Sequence, residues 1–225
     1  MSIKITKNYF QFGIHKYFRG NAHELELGHY GKKKDPIGAK AWLAPYDKIK
    51  PVHMKGRVKF NTRTQIAWNE VTSAELDTGG ALTYYGINFS GAKSFSHSHA
   101  KAAKLELISL SIDEGPLEDM INADRAARNE MADEGKDARI VSEVFLVVEA
   151  ELAEHLQTFG STSHGVEVKA VKGDAQLTVS GGLRGSQSVV LSKGTTFAYR
   201  LHKITDWNKG KTQVEDVDPD YKGMS

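Results

Sequence analysis

The stretch HMKGRVKFNTRTQIAW, residues 53–68, alternates apolar and polar side chains without a break, and nothing else in the chain limits its fold as strongly. Met54, Gly56, Val58, Phe60, Thr62, Thr64, Ile66 and Trp68 fall on one side; Lys55, Arg57, Lys59, Asn61, Arg63 and Gln65 fall on the other. A period of two is the pattern of a β-strand with one apolar and one wet face. Strands of globular domains usually run about 5–6 residues, so this one calls for a setting beyond a small sheet in water.

The same pattern recurs. In ALTYYGINFSGAKSFSHSHAKAAKLELISLSI, Ala81, Thr83, Tyr85, Ile87 and Phe89 oppose Leu82, Tyr84, Gly86, Asn88 and Ser90. With the first stretch it predicts a long hairpin over residues 54–110. GPLEDMINADRAARNEMADEGKD, residues 115–137, predicts a surface helix, with Pro116 early, acidic residues in the first turn and Gly135 near the end. ARIVSEVFLVVEAELAEHLQTF then places Val144, Leu146, Val148, Ala150 and Leu152 on one face, with Glu143, Glu149 and Glu151 beside Phe145 and Val147 on the other. With VEVKAV, where Val166, Val168 and Ala170 oppose Glu167, Lys169 and Val171, it predicts a second hairpin over 139–171. EAELAEHL fits a helix equally well, since Glu, Ala and Leu are strong helix formers. Short glycine-punctuated strands follow to residue 207, and 208–225 reads as a loosely ordered polar tail. The fold class expected is α+β: a twisted antiparallel sheet with long hairpin regions and flanking helices, in one domain over 1–207.

At 225 residues the chain can bury a proper core. The absence of cysteine excludes disulfides and thiolate metal sites and fits a reducing compartment. The opening MSIKITKNYF lacks the apolar core of a signal peptide, and no apolar run is long enough for a membrane helix, so a soluble cytoplasmic form is expected. The net charge of +2 hides an asymmetry: residues 1–60 hold 13 Lys/Arg against 4 Asp/Glu. Such a basic quarter points to an anionic partner, nucleic acid or a membrane surface, or to a solvated basic face. KNYFQFGIHKYFR, residues 7–19, interleaves aromatic and basic residues as an interface between water and lipid requires, and is ambiguous between helix and strand. In GHYGKKKDPIGAKAW, Gly31, Asp35, Pro36 and Gly38 predict a turn between two strands with Lys32, Lys33 and Lys34 at its tip.

Chemical motifs are sparse. His97 and His99 would share one side of a strand, but no Asp, Glu, Cys or third His joins them at a ligand spacing. No nucleophile is paired with a base and no glycine cluster has the context of a phosphate cradle, so no enzyme, metal or cofactor is expected. Nucleic-acid binding is the rival, but in 53–68 the aromatic and basic side chains lie on opposite faces, whereas a stacking platform needs both on one.

Taken in order, these features resemble the pore-forming N-terminal domain of the gasdermin family. GKKKDPIGAKAW resembles the family's basic, apolar hairpin tip; INFSGAKSFSHSHAKAAKLELISL resembles the return strand of its first membrane hairpin. ARIVSEVFLVV resembles the helix-to-strand passage into the second, and QSVVLSKGTTFAYRLHKI its closing strand. The resemblance spans roughly residues 5–205 and is one of order and pattern. It implies a protein that binds acidic phospholipid, assembles as a homo-oligomer or with a variant partner, and inserts β-hairpins to permeabilise the plasma membrane and cause cell death, without nucleic acid. The lipid-binding residues it implies are Lys4, Lys7, Lys16, Arg19, Lys32, Lys33, Lys34, Lys40 and Trp42. The membrane-facing residues are Val58, Phe60, Ile66, Tyr85, Ile87, Phe89, Val144, Leu146, Val148, Val166 and Val168. The chain has no room after residue 207 for the large inhibitory domain of animal gasdermins and lacks the cysteine that bacterial relatives often lipidate, so it is most similar to the fungal regulator-of-cell-death type. The alternative is a β-rich nucleic-acid-binding or structural protein without membrane activity.

Overall fold

Aromatic and β-branched runs separated by tight turns give the chain a sheet, and helices enter only where that pattern lapses. A computed structural model describes residues 2–37, 40–67, 104–148, 157, 166–171, 174–180, 186–191 and 196–224. The N-terminal aromatic segment settles as strands: β1 (Ile3–Ile5), β2 (Tyr9–Phe12) and β3 (His15–Phe18) form a meander. Then come β4 (His29–Lys34), β5 (Trp42–Lys48), α1 (Pro51–Met54), β6 (Lys59–Ala67) and β7 (Lys104–Ser111). Helices α2 (Glu114–Ala123) and α3 (Arg125–Glu134) lead to β8 (Ala138–Val148), β9 (Val166–Val171), β10 (Asp174–Ser180), β11 (Ser186–Leu191), β12 (Thr196–Trp207) and β13 (Val214–Asp220).

A 10-stranded sheet runs in the order β1-β2-β3-β12-β8-β4-β5, with β13 on β12, and β6 reaching β8 through β7; β9, β10 and β11 make a separate 3-stranded sheet. The pairings of the named strands are antiparallel. The large sheet curls until Gly20, just past β3, bridges Trp42 of β5. A side chain at Gly20 would start 2.4 Å from the Ala41 carbonyl oxygen, so only glycine allows that approach. Sheet and helices together make the fold α+β.

Two cores lie on the two faces of this sheet. The larger joins Val144, Leu146 and Val148 of β8 with Leu117, Met120, Ile121, Ala127 and Met131 of the helices. The second packs Phe10, Phe12 and Tyr17 of the meander against Leu107, Phe145, Val147 and Phe197. Here Phe10 meets Phe145 and Phe197 edge-on at 4.9 and 5.3 Å, contacts worth about 0.5–1.5 kcal/mol each beyond area burial. Strand β8 serves both cores, so its alternate faces are equally dry.

Several expectations need correction. The 53–68 stretch is not one strand: Pro51 starts a helical turn, Gly56 takes φ +72°, and pairing begins at Lys59. Within β6 a bulge between Phe60 and Thr62 exchanges the faces, so that Val58 and Phe60 pack in the larger core and Ile66 in the second. Their common apolar side therefore does not exist here. The helix over 115–137 divides at Asp124, whose extended backbone (φ −94°, ψ 93°) ends α2 and whose carboxylate accepts the Ala127 N–H at 3.4 Å to cap α3. The second hairpin fails as drawn, because β8 pairs with β12, β4 and β7, and β9 pairs with β10. The tail is not loose: β13 pairs with β12 from Leu201↔Asp220 to Trp207↔Val214, with Val214 and Val217 in the core.

Candidate functional site

The basic residues expected to meet lipid divide into buried anchors and exposed ones. Gly31, expected in a turn, lies inside β4, where β5 comes so close that a Cβ would sit 2.2 Å from the Ala44 oxygen. The strand therefore continues through Lys34, and the lysine triplet is not a free tip. Lys33 is buried: its Nζ donates to Asp220 Oδ2 at 2.7 Å and to the Lys222 carbonyl at 2.6 Å, over the Phe18 ring. Arg139 Nε reaches the same Asp220 oxygen at 2.6 Å. Burial alone pushes the Asp220 carboxyl up, but the hydrogen bonds from Lys33 and Arg139, with the Lys222 N–H, outweigh it and hold it below the ordinary range. Lys32 is engaged by Glu134, which also accepts the Tyr46 hydroxyl. Arg19 is buried, with Nη1 on the Thr6 carbonyl at 2.9 Å and its guanidinium over Phe197. Lys16 lies over the Tyr9 ring and donates to the Met224 carbonyl. Lys4, Lys7 and Lys34 are exposed; Lys40 and Trp42 are half-buried.

One exposed apolar residue escaped the sequence reading. Ile37, in the turn between β4 and β5, is fully exposed. Its signal was present: an isoleucine between Pro36 and Gly38 sits where turn chemistry leaves nothing to pack against.

The residues expected to face the membrane are core residues of this form wherever their side chains are described. Val58, Ile66, Val144, Leu146 and Val148 are buried and Phe60 packs against the larger core. Val166 and Val168 lie in β9. Tyr85, Ile87 and Phe89, with His97 and His99, lie outside the described residues. No described helix is long and apolar enough to cross a membrane, which has no bearing on crossing by strands.

Of the first expected hairpin, β6 pairs with β7 from Lys59↔Ser111 to Ala67↔Lys104, while the alternating strand expected over 81–90 lies outside the described residues. Next to it Glu106 of β7 pairs with Val148 of β8, and Leu146 of β8 with Thr196 of β12. Ala67, Lys104, Val148 and Thr196 therefore mark one end of the neighbouring strands β6, β7, β8 and β12, and the chain leaves that end twice, through residues 68–103 and 149–195. Among the described residues β6 pairs only with β7.

On the second face a polar row crosses the sheet below the aromatic core. Glu143 of β8 is buried and accepts Ser109 Oγ at 2.5 Å, Asn61 Nδ2 at 3.3 Å and Tyr17 Oη at 3.4 Å; Arg200 Nη2 lies 3.2 Å from its other oxygen. Burial and the Glu143 charge push the Tyr17 phenol up. Beside the row, His202 of β12 places Nδ1 2.6 Å from Ser142 Oγ and Nε2 3.4 Å from Glu114. Burial lowers the His202 pKa, opposed by the Glu114 hydrogen bond. These groups line a cleft of about 450 Å³ under the β2–β3 hairpin. On its floor Glu143 and Arg200 face each other as an ion pair, joined by the donors of the row.

Compared with models of known families and with curated proteins, the chain matches none.

Proposed function

We propose that this protein permeabilises membranes: it binds acidic lipid, oligomerises, and inserts β-hairpins of the gasdermin type, causing cell death. The observation that carries the reading is the common exit of residues 68–103 and 149–195 from one end of β6, β7, β8 and β12. A membrane strand needs about 9–11 tilted residues, and each excursion is long enough to prolong two neighbouring strands by that much and turn. Strands in hydrocarbon must close into a barrel, because no open edge is tolerated there. One chain offers too few strands, so closure requires further copies or a variant partner. The exposed Lys4, Lys7 and Lys34 bring the protein to acidic lipid at about 1 kcal/mol each.

Dye release from equimolar phosphatidylserine–phosphatidylcholine vesicles tests the reading. The chain is expected to empty them and to spare pure phosphatidylcholine. Ile87→Lys, which sets a charge on the proposed lipid side at roughly 2–4 kcal/mol near the midplane, is expected to abolish release with an unchanged circular dichroism spectrum. Wild-type protein that releases no dye, or folded Ile87→Lys protein that still does, would overturn it.

A further inference from the structure

The chain turns at residues 221–224, after β13. This turn is wedged between two hairpin turns. On one side, Lys16, two residues from the β2–β3 turn residue Ile14, donates to the Met224 carbonyl at 3.3 Å. On the other, Lys222 Nζ lies 4.0 Å from Asp35 at the start of the β4–β5 turn. Gly223, at φ +86°, sits so close to that turn that a Cβ would meet Asp35 Oδ1 at 2.8 Å and Ala41 Cβ at 2.7 Å. From beneath, Lys33 holds both Asp220 and the Lys222 carbonyl.

The three turns each end in an apolar side chain turned to solvent. Ile14 is 89 % exposed, Ile37 106 % and Tyr221 47 %. Around them stand Lys16, Lys34 and the 84 % exposed Lys222, with Asp35 facing Lys222 and Asp220 neutralised by Lys33 and Arg139. Apolar and aromatic tips ringed by lysine suit the boundary of an anionic bilayer, where Tyr sits at headgroup level and lysines meet lipid phosphate and carboxylate.

We infer that Ile14, Ile37 and Tyr221 form one docking face for an anionic lipid surface, so that the C-terminal turn touches the membrane together with the β4–β5 turn. This rests on the membrane reading above and adds to it two contacts, Ile14 and Tyr221. Lys33 is then the pin that sets the third turn in place, not a lipid ligand.

Because the chain has no cysteine, Ile14→Cys, Ile37→Cys and Tyr221→Cys can each carry one environment-sensitive fluorophore, with Asp133→Cys on exposed α3 as the control. On equimolar phosphatidylserine–phosphatidylcholine vesicles the labels at 14, 37 and 221 are expected to shift blue together and the label at 133 to stay in water. In co-sedimentation, Ile14→Ser and Tyr221→Ser are each expected to weaken binding about tenfold with an unchanged melt, since the loss of one apolar contact is of order 1.4 kcal/mol. A silent label at 14 or 221 while wild-type protein binds and leaks dye would overturn this inference and leave the pore reading standing. Wild-type protein that does not bind these vesicles would overturn both.

Discussion

Replacing Asp220 with alanine would leave Lys33 and Arg139, whose side chains are 5 % and 12 % exposed, facing each other without a counter-charge. Breaking a buried ion pair from one side costs about 3–5 kcal/mol. A chain of this size moves its Tm by about 2–4 °C per kcal/mol, so Asp220→Ala is expected to melt roughly 6–20 °C below wild type. Lys33→Met is milder, about 1–3 kcal/mol, because Asp220 keeps Arg139 and the Lys222 N–H. The pH dependence has a defined sign. With its folded pKa depressed, Asp220 contributes stability that is full above the ordinary carboxylate pKa of about 3.9 and is lost as pH falls through the folded value. Asp220→Ala should therefore flatten the acid limb of the stability profile. Thermal melts by circular dichroism across the acid range read both effects. An Asp220→Ala protein that melts with wild type, or keeps the same acid limb, would refute the assignment of Asp220 as the counter-ion that fastens β13 to β4.

Lys34→Gln combined with Lys40→Gln is expected to weaken co-sedimentation with anionic vesicles by about 2 kcal/mol, roughly thirtyfold, and to leave the melt alone; Lys33→Gln should do the reverse and lower the melt. His202 has a lowered folded pKa through burial, so its share of stability is full above the unfolded pKa of about 6.5 and declines as pH drops below it. His202→Gln should remove that decline from urea midpoints measured between neutral and mildly acid pH, and an unchanged slope would refute the assignment of the decline to His202.

The sequence made the strand over Lys59–Ala67 and the helical stretch after β7 legible, because alternation and capping are local. It hid what depends on partners distant in the chain. Glu143 reads as a wet residue until Ser109, Asn61, Tyr17 and Arg200 converge on it from other strands. Strand β13 reads as tail because VEDVDPD is acidic and carries Pro219, which only an edge strand accepts. Its Val214 and Val217 and the buried Asp220 have meaning only against β12 and Lys33. Lys33 itself is indistinguishable from Lys32 and Lys34 in sequence; burial alone separates the pin from its exposed neighbour.

The polar row sets a physical boundary within the sheet that bears on how such a protein would change state. Below it, toward His202, the sheet face is held by Glu143, Arg200 and their donors, and parting these strands would strand charges away from water. Above it, toward Ala67 and Thr196, the same face is held by Phe10 and Phe12 resting on Phe145 and Phe197, with Ile66, Leu105, Leu107 and Val147 beside them. Among these aromatic and aliphatic side chains the contacts are apolar, and the polar anchors of this half are Arg19 over Phe197 and the Tyr17 hydroxyl on Glu143. The bulge at Phe60 and Thr62 stands at the level of Asn61 in that row, and there β6 passes from the core shared with the helices to the core under the meander. On the pore reading, the anchored half keeps the monomer fold while the aromatic half, nearest the two excursions, is the part that yields. The meander β1–β3 is then the element whose displacement uncovers the strands, which gives its dense aromatic packing a role as the barrier to assembly.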